Sequence, residues 1–309
     1  MMAASPLAIS GPDLVPWLVL GVYALAILAV TPRRVRAVSF FDGHAESGAP
    51  PGLWVLVAST TISWIMAKSI DNAASLAAAF GLAGGVGYAI YYLGFITAGV
   101  AIYLIRVRGG HTSLPGFLAD KYGPTCAKLF LVAVFIRLYN EVWSNTKVYA
   151  QFFGREGSSS YWLAVAAVTL FTVYYSWGGG LRSSLLTDVL QMLLAGVLLG
   201  AILWALSPGI VEHGLPVADE QQQRAGLTFC GLALVQLFSY PFHDPVLTDR
   251  AFITPPRTML WGFILSAFLG GLFILLFSSV GLFALGHGIK GNPSVSVPLA
   301  LGGPLLLVV

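Results

Sequence analysis

The stretch Val57-Ala58-Ser59-Thr60-Thr61-Ile62-Ser63-Trp64-Ile65-Met66-Ala67-Lys68-Ser69-Ile70-Asp71-Asn72 decides what kind of chain this is. Hydroxyl, amide and ionisable side chains are set into a run that is otherwise Val, Ala, Ile, Trp and Met, extending from Leu53 to about Gly81. A hydrocarbon core about 30 Å thick needs roughly 20 residues of helix, and this run supplies them. Hydroxyls can bond to, or replace, helical backbone hydrogen bonds. The cluster Ser59, Thr60, Thr61 and Ser63 therefore predicts a membrane helix that unwinds near Thr61 and bares carbonyl oxygens, the usual ligands of small cations. The competing reading of the same residues is that each hydroxyl bonds back to its own helix. Lys68 and Asp71, three positions apart, share one helix face and are able to neutralise each other. A charge near mid-membrane costs about 2.5 to 3.5 kcal/mol, so the two are expected either to pair or to line a hydrated vestibule.

The rest of the chain agrees with a lipid solvent. Of its 309 residues, 57 % are hydrophobic and 9 % charged, with a mean hydropathy of +0.82; soluble domains carry roughly a quarter charged residues. Lys and Arg number 16 against 13 Asp and Glu, a net charge of +3 with no long basic run, which excludes a nucleic-acid binder. Cys126 and Cys230 form no ligand set or disulfide framework. Besides 53–81, apolar spans are expected at 14–31, 85–107, 125–153, 161–177, 185–206, 226–242 and 259–286, with a ninth beginning at 297–309. The chain stops inside the apolar run Leu301 to Val309, so the sequence is expected to be truncated. The first span lacks a basic leader and is followed by Arg33, Arg34 and Arg36, unlike a signal peptide.

Threading these spans alternately through a bilayer puts Arg33, Arg34, Arg36, Arg106, Arg108, Lys121, Lys128, Arg182, Arg250 and Arg257 on one side. Arg155, Arg224 and Lys290 fall on the other. The basic side is expected to be cytoplasmic and the N-terminus outside, in a multi-pass protein of the cell membrane.

Three further segments carry chemistry. In the fourth span, Arg137, Asn140, Glu141, Ser144 and Asn145 fall within one helical arc, a polar stripe that must face other helices or water; Arg137 and Glu141 could equally form a structural ion pair. After the fifth span, Gly178-Gly179-Gly180 predicts a tight turn with the next helix beginning near Arg182. Asp188 then lies within two turns of that helix start, where an acid could simply complement the helix dipole. In Phe238-Ser239-Tyr240-Pro241-Phe242-His243-Asp244-Pro245 the prolines break or kink the seventh span and free carbonyls beside Tyr240. His243 and Asp244 read as loop residues rather than an acid–base pair. Without a phosphate loop, nucleophile elbow or metal-ligand motif, the chain is not expected to be an enzyme or to hold a cofactor.

The stretch from Gly179 to Gln191, Gly-Gly-Leu-Arg-Ser-Ser-Leu-Leu-Thr-Asp-Val-Leu-Gln, resembles a signature of the solute:sodium symporter family. Ala58 to Ser63, Thr112 to Gly123, and Ser239-Tyr240 followed ten residues later by Arg250 agree in order and spacing. The resemblance implies an all-α, leucine-transporter-like fold. One extra N-terminal helix would precede two five-helix repeats inverted in the membrane, the second incomplete in this chain. It further implies a sodium site built from the carbonyls of Ser59 and Ile62, with Asp188 on the cytoplasmic ion route and Tyr240 as a gate beneath the solute. Thr61 and Ser63 fall where family members contact solute or support the ion. Where the sugar carriers of the family place polar residues, this chain has Thr61, Ile65, Met66 and Gly270, which favours a smaller, ionised solute.

The function expected is sodium-coupled symport of a small polar or charged solute by alternating access, with Lys68, Asp71, Asn140, Glu141 and Asn145 joining Thr61 and Ser63 on the solute path. Its partners are then that solute, sodium as the coupling ion and the bilayer. The alternative is a symporter-like membrane sensor domain fused to a histidine kinase. Proton coupling through Lys68 or Glu141 is a variant of the first reading.

Overall fold

The structure is a computed structural model in which residues 14–32, 35, 37–214 and 216–302 are described. Arg33, Arg34 and Arg36, and the 303–309 part of the expected ninth span, lie outside the described residues. Those described form helices and connecting turns, with no strand among them.

Helix α1, Leu14–Val30, is followed by the short α2, Ala37–Asp42. Next come α3, Leu53–Trp64, and α4, Ala67–Phe80, bent by 59° across a two-residue break at Ile65 and Met66. Helix α5 runs over Leu82–Val107 through a 3-10 turn at Tyr91–Leu93. Helices α6, Leu114–Tyr122, and α7, Pro124–Ala150, come after it.

Helical hydrogen bonding is then continuous over Ser159–His213, 55 residues. A straight helix of that length would reach about 80 Å, more than twice a bilayer's apolar core. Gly180 resolves the conflict. Its φ of +55° and ψ of −153° leave the helical region, and a Cβ there would lie 2.6 Å from the Phe40 ring, so only glycine fits. The chain doubles back at this residue. Tyr161 packs near Trp17 of α1, Ser183 donates to Thr31 at 3.3 Å, and Gln191 donates to the Tyr23 hydroxyl at 2.7 Å, so contacts run down α1 and then return. We call the two arms α8, 159–179, and α9, 181–213; they hold the expected fifth and sixth spans.

Helix α10, Glu220–Gln236, starts earlier than the expected 226 because Asp219 and Gln222 form a reciprocal capping box. A 3-10 turn at Tyr240–His243 separates it from α11, Pro245–Arg250. Helix α12, Pro256–Gly286, and α13, Pro293–Gly302, complete the described chain.

The core forms where α12 packs between α3, α4 and α5, with Phe263, Phe277, Ile274 and Met259 meeting Tyr92, Phe95 and Ile102. Lipid tails are as apolar as these side chains, so close packing rather than transfer from water holds the helices together. Small residues permit it. A Cβ at Gly270 would overlap the Tyr92 ring, and one at Gly281 would overlap the Ala74 carbonyl of α4.

The structure corrects one expectation about the decisive stretch. Residues 58–63 do not unwind: α3 is regular through Trp64, and the break falls at Ile65 and Met66. Thr60 donates to the Leu56 carbonyl at 2.7 Å and Ser63 to the Ser59 carbonyl at 2.7 Å, which leaves the helix intact. What stops α3 lies outside it. The Trp64 carbonyl accepts from the Tyr92 hydroxyl of α5 at 2.7 Å and from Ser69 at 2.5 Å, partners that replace a continuing backbone bond.

Candidate functional site

Both interrupted helices meet along their breaks, and polar side chains gather there in three groups. The first joins α3, α9 and α11. Asp188 on α9 accepts from the Ser59 hydroxyl at 2.5 Å and from an Arg250 terminal nitrogen at 2.7 Å. Arg250 also donates through Nε to Ser59 at 2.5 Å and through Nη2 to Ser184 at 3.1 Å. Ser59, Asp188 and Arg250 are 0 %, 7 % and 5 % exposed, so this charge pair is desolvated and its hydrogen bonds are internal. Nearby, Thr60 and Ser266 share a hydrogen bond of 2.5 Å that ties α3 to α12.

The second group lies at the breaks themselves. The Trp64 ring sits 5.4 Å from Tyr240, 5.6 Å from Tyr92 and 4.5 Å from Phe95. Arg137 of α7 lies 4.7 Å above the Tyr240 ring and donates to its hydroxyl. It also pairs with Glu141, one turn on, and lies 3.8 Å from Asp244. Glu141 in turn is 3.7 Å from the Lys68 ammonium and accepts from Asn145 at 3.1 Å. The Lys68 backbone N–H, at the start of α4, donates to the Asn145 side chain at 3.0 Å. Two cations and two carboxylates thus balance one another. Thr61 is fully buried, yet its hydroxyl has no hydrogen-bond partner; an unmet group of that kind is costly and marks a place that a ligand or water could complete.

The third group ties α4 to the segment after α12. Asp71 accepts from the Asn292 side chain at 2.7 Å and from the Ser294 hydroxyl.

Several sequence expectations are redistributed by this geometry. Lys68 and Asp71 do not neutralise each other; Lys68 turns to Glu141 and Asp71 to Asn292 and Ser294. Lys68, Glu141 and Asn145 are brought together, whereas Asn140 is exposed and contributes its backbone carbonyl to Ser144 at 2.7 Å. The Ile62 carbonyl accepts the Ile65 N–H at 3.0 Å as the helix cap, and the Ser59 carbonyl takes the Ser63 hydroxyl. A carbonyl oxygen has two lone pairs, so Ile62 retains one for a further partner, whereas Ser59, inside the regular helix, spends both on the backbone N–H and the hydroxyl of Ser63. Asp188 does more than complement a helix dipole, since Ser59 and Arg250 both bind it.

Two residues in these groups were not expected there. Asp244, read as a loop residue, is 3 % exposed and caps α11, accepting from Val246 and Leu247 at 3.0 and 3.2 Å. The sequence held that signal, an Asp directly before a Pro at a helix start. Arg250, counted with the cytoplasmic bases, is buried against Asp188, and no local pattern announces a partner 62 positions away.

An all-α chain in which one interrupted helix faces another, each followed by a long apolar helix, α5 and α12, has the framework of a leucine-transporter-like membrane carrier. Comparison with known proteins agrees. No family model matches the chain. A curated relative, sodium/myo-inositol cotransporter 2 of Bos taurus, is 27% identical over 244 residues, covering 75% of this chain and 35% of the relative. The chain therefore spans about a third of that protein's length. Among solved structures, a substrate-bound outward-open state of a Na+-coupled sialic acid symporter matches with a TM-score of 0.58 at 15% identity, covering 95% of this chain and 69% of the other. The chain is thus similar in sequence to a sodium-coupled cotransporter and shares the fold of a Na+-coupled symporter. Both comparison proteins are transporters, not enzymes.

Proposed function

We propose that this chain forms part of a sodium-coupled symporter that imports a small polar or charged solute by alternating access. The observation that carries the reading is the contact between the two breaks. Trp64, at the end of α3, packs edge to face with Tyr240, just past α10, and Arg250 of α11 reaches back to Ser59 of α3. Interrupted helices with their ends turned toward each other offer carbonyl oxygens and helix termini to an ion and a solute at membrane depth.

In this reading Ile62 presents its carbonyl to sodium, with Ser59 one turn before it, and Asp188 draws the ion toward the cytoplasm. Thr61, Ser63, Lys68, Asp71, Asn140, Glu141 and Asn145 serve the solute path, with Thr61 offering its unpartnered hydroxyl. Tyr240, held between Trp64 and Arg137, is the gate. The N-terminus faces outward in this reading, which the distribution of basic residues supports. The solute is small and ionisable rather than a polyol. Ile65 is buried in the apolar core, and the Tyr92 ring fills the space that a polar side chain at position 270 would need.

Uptake of candidate amino and organic acids into proteoliposomes of the full-length protein tests the reading. Uptake is expected to rise severalfold under an inward sodium gradient relative to choline. Equal uptake under both conditions rejects sodium coupling.

A further inference from the structure

The sodium route assigned to Asp188 meets an obstacle: a guanidinium already occupies the carboxylate. Arg250 reaches Asp188 at 2.7 Å while its Nε holds Ser59 at 2.5 Å, and Ser184 completes the enclosure at 3.1 Å. A second cation at that carboxylate would stand within a few ångströms of the first, in a site closed to water. Like charges at such distance repel, and a buried site screens them little. The two therefore compete for the carboxylate.

We propose that the Arg250 guanidinium is a tethered stand-in for the transported cation, holding Asp188 while α11 is docked and giving way when sodium arrives. This rests on the sodium-coupled reading above. Arg250 is placed for such exchange because it ends a six-residue helix set beyond a chain interruption. Helix α11 is short, with Leu247 and the following Ala251 buried in the core while Arg250 at its end is held by side-chain bonds alone. Asp244 caps its first turn, and Arg106 of α5 donates to the Ala251 carbonyl just after it at 2.6 Å. Asp244 is also the carboxylate that faces Arg137 in the group around Tyr240. A change in the Arg137 pairing when solute binds would therefore act on the same short helix that delivers Arg250. The stand-in also explains how a carboxylate on an ion path tolerates burial between ions: it is never without a counter-charge.

The test uses thermal unfolding of the purified full-length protein in sodium chloride against choline chloride at equal ionic strength. Removing the stand-in leaves Asp188 in need of a cation. Arg250→Gln is expected to be less stable than wild type in choline, to gain more from sodium, and to show a sodium half-saturation lower by about tenfold, within the usual range of coupling between sites. Arg250→Lys keeps a tethered charge and should stay near the wild-type half-saturation. The extra sodium gain should vanish in Asp188→Asn combined with Arg250→Gln. If wild type responds to sodium but Arg250→Gln shows an unchanged or higher half-saturation, the stand-in is refuted and the sodium reading survives. A wild type indifferent to sodium removes both. Should Arg250→Gln not survive purification, Ser184→Cys with Arg250 intact decides: sodium should raise the alkylation rate of Cys at that position over choline, and equal rates overturn the proposal.

Discussion

The two helix interruptions look alike but are made differently. Between α10 and α11 the chain is broken by its own residues. Pro241 lacks an amide donor, Pro245 does likewise, and Asp244 caps α11. Between α3 and α4 there is neither proline nor glycine at Ile65 and Met66. There the helix ends because Tyr92 and Ser69 take the Trp64 carbonyl. The first kind of break would persist in an isolated segment, whereas the second draws part of its support from Tyr92 and so depends on α5 packing beside α3. This difference makes the α3–α4 joint the one whose stability depends on its neighbours, and under the proposed function it is the joint that neighbouring helices can reset.

Substitutions at the two joints probe this contrast. The largest effect is expected where the two interrupted elements are tied together: Asp188→Asn strands Arg250 in a buried site and should cost about 3 to 5 kcal/mol in unfolding, with uptake lost. Thermal denaturation within a few tenths of a kcal/mol of wild type would mean that the pair does not join the two breaks. Next, Tyr92→Phe combined with Ser69→Ala removes both donors from the Trp64 carbonyl and should cost about 1 to 2 kcal/mol. It should also slow alkylation of a cysteine placed at Met66, as the joint straightens. An unchanged rate there would show that the bend does not depend on those donors. The smallest effect is expected for Pro241→Ala, within about 0.5 kcal/mol, because Pro245 and the Asp244 cap still interrupt the helix. A clear gain in helical content by circular dichroism would contradict that.

Much of the fold was legible in the residue order. The apolar runs, the turn at Gly178–Gly180 and the Pro241–Pro245 interruption are local properties, and the polar arc of α7 came from helical periodicity alone. The Arg137–Glu141 pair was readable as one helical turn. The position of the first break was not, because the hydroxyls that suggested unwinding at Thr61 have carbonyls four residues back as ready acceptors. The Lys68–Asp71 pair failed for a related reason: each side chain found a better partner on another element. Among the site residues, Asp188 stood out by its signature and Arg250 by its spacing from Tyr240, but nothing local named the two as partners, since an Arg near a loop also reads as a cytoplasmic base.

By itself, then, the sequence settled the solvent, the helical class, a turn within Gly178–Gly180 and the proline-made break, because each rests on covalent geometry or on side chains within a few residues. Only the tertiary structure decided which carboxylate Arg250 neutralises, where α3 stops and which groups gather around Tyr240. Ser59 and Arg250 are 191 residues apart, and a desolvated charge takes whichever partner the packing of helices brings within reach.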